Sequence, residues 1–96
     1  MGHFKSKLSY GRGGVKKFIK EYLFKYKKQK YSTVRELHKT IDKNDKDQQE
    51  LLWEAKKNIE RVNISTYGEQ LDISTIRSAA DDLHRLYKDN WGSKRP

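Results

Sequence analysis

An all-α fold, a bundle of about four helices, is what this sequence predicts, and three observations predict it. Apolar residues recur at the three- and four-residue spacing of a helical face through most of 15–89. Alternation of the kind a strand needs is confined to 63–74, and turn-forming residues cluster at only a few places. Hydrophobic residues make up only 33% of the chain and charged ones 36%, but eleven of the residues are aromatic, enough volume for one modest core. Ninety-six residues are the size of a single domain that buries about two-thirds of its unfolded surface.

Residues 1–13 mix Gly, Ser and Lys, and Gly11, Gly13 and Gly14 disfavour a stable helix, so this stretch reads as a flexible basic arm. The single helical domain expected over 14–90 begins with Val15, Phe18, Ile19, Tyr22, Leu23 and Tyr26, which share one face of a helix over about 15–29. Thr33 and Glu36 stand at capping-box spacing before a second helix, about 33–42, with Val34, Leu37 and Ile41 on its apolar side. The short polar residues at 42–45 favour a turn. A third helix, about 46–62, places Leu52, Ala55, Ile59 and Val62 on one side, with Trp53 off that stripe, where it either covers the edge of the core or meets a partner. Residues 63–74 read as a loop in preference to a small two-stranded wing. Asp72 or Ser74 then caps a fourth helix, about 74–89, that packs Ile76, Ala79, Ala80, Leu83 and Tyr87 inward. The tail over 91–96 is short and basic.

Charge is the most informative feature. The formal net charge is +9, and residues 1–30 carry all of that excess: Lys5, Lys7, Arg12, Lys16, Lys17, Lys20, Lys25, Lys27, Lys28 and Lys30 against Glu21 alone. The remaining twelve basic residues are balanced by twelve acidic ones. A neutral helical body with a cationic front suits a partner of fixed negative charge, because both long-range attraction and counterion release grow with clustered cations. Solubility alone does not call for such segregation.

The run from Ser32 to Leu37, following an amphipathic helix, resembles the start of the second helix in winged helix-turn-helix DNA-binding domains. That resemblance spans residues 15–74 and implies a third, recognition helix bringing Lys56, Lys57 and Arg61 toward DNA, with 63–73 as the wing. The N-terminal Met1-Gly2-His3-Phe4-Lys5-Ser6 fits a loose myristoylation pattern at Gly2. Together with the basic stretch behind it, it resembles a myristoylated viral matrix module, which implies attachment to an anionic membrane.

Catalysis has little support. The three histidines are scattered, and neither a metal-binding His pair nor a phosphate loop occurs. Without cysteine there is no disulfide, thiolate metal site or thiol nucleophile. A cofactor is not expected. Nor is an apolar run long enough to span a bilayer present, so a cytoplasmic or nucleoid or nuclear location is expected, with the inner membrane surface as the variant.

These features predict a small non-enzymatic protein that binds nucleic acid mainly through phosphate contacts from residues 1–30. His3, Phe4 and Tyr10 are placed to stack on unpaired bases of a single-stranded target. The body serves as scaffold and as a surface for a homodimer. Two alternatives stand beside this reading: a matrix-like module on an anionic membrane, and an adaptor or inhibitor that covers an acidic protein surface with Trp53 and Trp91 as anchors.

Overall fold

The apolar spacing from Val15 to Tyr26 opens the first helix of the computed structural model, which describes residues 13–62 and 70–96. The chain is all-α over these residues: α1 (Gly14–Thr40), α2 (Lys46–Trp53), α3 (Ala55–Val62) and α4 (Ile73–Trp91), with no strand among the described residues. The arm expected over 1–13 lies outside them except for Gly13, as do 63–69 of the expected loop or wing.

The count of four helices agrees with the sequence reading, but the chain is divided differently. The helices expected at 15–29 and 33–42 lie end to end within α1, meeting at a kink at Gln29 (φ −147°, ψ 78°), so that the first ends where expected and the second begins directly after it. A straight helix of that length would run about 40 Å, whereas the longest dimension of the protein is 34 Å. The break lets α1 change direction and keep both halves on the core. Thr33 and Glu36 do not form the expected capping box, because no helix begins there. Thr33 Oγ1 donates instead to the Gln29 carbonyl at 2.7 Å, one turn back. Glu36 faces Lys25 at 3.6 Å.

The third expected helix, 46–62, is divided at Glu54 (φ −93°, ψ 25°) into α2 and α3. Its continuity is replaced locally by a side chain: buried Asn58 donates from Nδ2 to the Leu51 carbonyl at 3.1 Å. The turn before α2 is equally well supplied. Asp45 accepts from Gln48 N at 3.1 Å as the N-cap. Buried Gln48 turns its Oε1 back to accept from Asp42 N at 2.7 Å. Asp72, one of the two caps proposed for the last helix, accepts from Thr75 N at 2.8 Å.

The apolar faces converge on one cluster. Phe18, Ile19, Tyr22, Leu23, Leu37, Leu52, Ala55, Ile59, Ala79 and Leu83 are all essentially inaccessible to solvent, and α4 packs against each of the other three helices. Trp53 and Trp91 complete this core rather than stand free. Both are half-buried on either side of Tyr87, with ring centroids 5.0 and 5.4 Å from it. Trp91 Nε1 donates to the Lys43 carbonyl at 3.0 Å and ties the end of α4 to the turn before α2. Of the two roles expected for Trp53, covering the edge of the core is the one its packing shows, and Trp91, expected to be exposed, is half-buried beside it.

Candidate anion-binding face

Because the seam of α1 is buried on one side, the lysines between its members must emerge on the other. At about 100° per residue, Lys16, Lys17, Lys20, Lys27 and Lys28 fall within an arc of about 120° opposite the buried seam. Lys16, Lys17, Lys27 and Lys28 are exposed and Lys20 is half-exposed. Half-buried Phe24 sits in the middle of this arc, with the Lys28 ammonium 4.3 Å above its ring centroid. No acidic residue of the first half of α1 interrupts the arc, since Glu21, at its margin, is held by Lys25 at 3.1 Å.

Two of the ten cations read as one group from the sequence have internal duties. Lys25 lies between Glu21 and Glu36, at 3.1 and 3.6 Å. Lys30 donates to Ser78 Oγ at 3.0 Å and lies 3.7 Å from Asp82. Ion pairing offsets part of their charge, and Lys27 acts on the Asp72 carboxylate at the start of α4, so the outward field of α1 comes mainly from Lys16, Lys17, Lys20 and Lys28. Lys5, Lys7, Arg12 and Gly2 lie outside the described residues. Lys56, Lys57 and Arg61 are exposed on α3, but Lys56 shares a depression of about 490 Å³ with Glu60, Arg77 and Asp81, where the charges alternate in sign. α3 therefore presents a mixed face where α1 presents a uniform one. Among the described residues no cluster of His, Asp or Glu is arranged to hold a metal, and no helix is long and apolar enough to cross a membrane.

A polar network fixes the lysine helix on the bundle at its break. Tyr26, one turn before Gln29, shares a short hydrogen bond with Ser78 and donates to buried Asp82 at 2.7 Å. Tyr22 donates to the Ala79 carbonyl at 3.3 Å. Burial raises both phenols above the usual 10.0, with Asp82 adding to each. Contact with Tyr26, and then with Asp82, holds the Lys30 ammonium above its usual 10.5.

These shifts have one sign in linkage. Below pH 10 both phenols are protonated whether or not the chain is folded; above it the unfolded chain loses those protons first, so stability falls as pH rises toward the folded values. The raised Lys30 acts likewise, its contribution being complete below 10.5 and lost above. Urea midpoints are therefore expected to decline from about pH 10 upward, and Tyr22→Phe is expected to make that decline shallower. An equal decline in wild type and variant would remove Tyr22 from this account.

Comparison with family models, with curated proteins and with solved structures finds no match for the chain, so what this face binds must be argued from its residues alone.

Proposed function

We propose that the protein is a non-enzymatic nucleic-acid-binding module whose α1 lysine face neutralises backbone phosphates. The observation that carries this reading is the arc of Lys16, Lys17, Lys20 and Lys28, continued by Lys27 beside Asp72, on a helix anchored by its opposite face to the core. Flexible ammonium groups on a rigid helix meet a repeating phosphate charge without needing base readout. The further cations at Lys5, Lys7 and Arg12 add to the same electrostatic term.

A membrane target is less well served. The apolar seam of α1 is spent on the core, so a lipid surface would find charge and the partly buried Phe24 but no broad apolar face to insert. An acidic protein surface would find less of the tryptophan anchors expected from the sequence, because both rings are half-buried against the core.

The test is a titration of the full chain with fluorescent nucleic acid at 50 to 500 mM salt, beside vesicles of phosphatidylserine and phosphatidylcholine. Four or five phosphate contacts from α1 predict a slope of log K against log salt of about −3 or steeper. A slope near zero, or binding to the vesicles without binding to nucleic acid, would overturn the proposal.

A further inference from the structure

Apolar side chains that pack nowhere are informative when their neighbours suggest a ligand, and Tyr31 is such a case. It lies in α1 two residues past the break at Gln29 and three past Lys28, and it is 76% exposed while Tyr22 and Tyr26 are buried. The Arg35 guanidinium lies 5.2 Å from its ring centroid. Tyr31 borders a groove of about 310 Å³ between the second half of α1 and α4, which Val34 and Leu86 give apolar walls. Lys39 and Arg85 stand along the same groove, as do the carboxylates of Asp82 and Asp89.

This lining differs from the lysine arc in a way that bears on the ligand. Asp82 is occupied by Tyr26, Lys30 and Arg85, but an unbroken row of phosphates would meet the exposed Asp89 carboxylate with repulsion. A single nucleotide has the complementary mixture: a flat apolar face for the tyrosine, N–H donors on the base edge for the Asp89 carboxylate, and a phosphate for lysine or arginine. An aromatic ring offers stacking only to a base that is out of a duplex, since paired bases hide their faces within the helix stack.

We infer that the Tyr31 groove receives an unpaired base, and that the nucleic acid bound along α1 is single-stranded. This inference rests on the nucleic-acid reading above and sharpens it. Lys28 with Phe24 and Arg35 with Tyr31 give α1 two aromatic rings topped by cations, seven residues apart, along which a single strand runs from the lysine arc into the groove.

The full chain is titrated with a fluorescent, unstructured 20-nucleotide oligo-uridine and with a mixed-sequence DNA duplex of 20 base pairs, for wild type, Tyr31→Ala and Tyr31→Phe. Loss of one stacked base predicts that Tyr31→Ala weakens single-strand binding about 10- to 100-fold. Duplex binding and its salt slope should stay as they were, and Tyr31→Phe should retain the single-strand affinity. Unchanged melting of the variants, expected for so exposed a side chain, establishes that folding is not what is being read. Salt-dependent binding in which Tyr31→Ala changes neither ligand, or both equally, would overturn the inference while leaving the phosphate-binding reading in place; absence of binding to either nucleic acid would overturn both.

Discussion

Leu83→Ala is expected to destabilise the fold by about 2–5 kcal/mol, the range for deleting a buried leucine side chain and leaving its cavity behind. Leu83 is fully inaccessible and lies on α4, the helix that touches all three others, so a void there cannot be closed by shifting one neighbour. A chain of 96 residues has about 5–14 kcal/mol of total stability, so the substitution removes a large share and should lower Tm by about 15 °C. Ile73→Ala, on the same helix but at a position 67% exposed, should stay within about 0.5 kcal/mol of wild type. Urea unfolding of both variants checks this. Equal midpoints would show that α4 is not the centre of the packing.

The position of Leu83 was legible because its partners at 76, 79, 80 and 87 repeat the helical period, and a period is a local property of sequence. The same holds for the seam of α1. Leu51 and Leu86 are buried as well, although each stands in sequence next to a member of the stripe and so falls outside its period. The first helix ends at Gln29 as the sequence predicts, but the second resumes at once and not at Thr33, for a physical reason. Nothing between Lys27 and Thr33 is Gly or Pro, so the sequence shows polar residues followed by a capping pattern, which suits a linker. What stabilises a one-residue interruption is tertiary: Tyr26 and Lys30, on either side of it, both engage Ser78 and Asp82 about fifty residues away.

The candidate site was legible in the same partial way. Segregation of charge into residues 1–30 can be counted, and the helical period says which lysines oppose the apolar seam. The internal pairing of Lys25 and Lys30 cannot be counted, because Glu36 and Asp82 reach them only after the helix bends and α4 docks. Trp53 shows the converse, since a residue off the stripe of its own helix joins the edge of the core when α4 brings Tyr87 against it, and Trp91, one turn past Tyr87 on α4, lies on the same ring. Tyr31 has no periodic signature, being an isolated tyrosine in a polar run; only its exposure beside a groove sets it apart.

Replacing Lys16, Lys17, Lys20 and Lys28 together by glutamine is expected to weaken nucleic-acid binding about 10²- to 10³-fold at 0.15 M salt. The magnitude follows from counterion release: each phosphate contact contributes a factor of about 4–6 at that salt relative to 1 M, and four contacts multiply. The cations of 1–12 remain in this variant, so binding should persist with a salt slope reduced by about 3. Stability should hold or rise slightly, because the substitutions relieve repulsion among exposed like charges and cost only the contact of Lys28 with Phe24. A matched variant separates charge from position. Lys56→Gln, Lys57→Gln and Arg61→Gln remove three exposed cations from α3, where acidic neighbours already offset part of the field, and should cost less than tenfold. If the α3 variant loses more affinity than the α1 variant, the nucleic acid lies along α3, as the winged helix-turn-helix resemblance implies, and the lysine arc of α1 is a solvated face and no more.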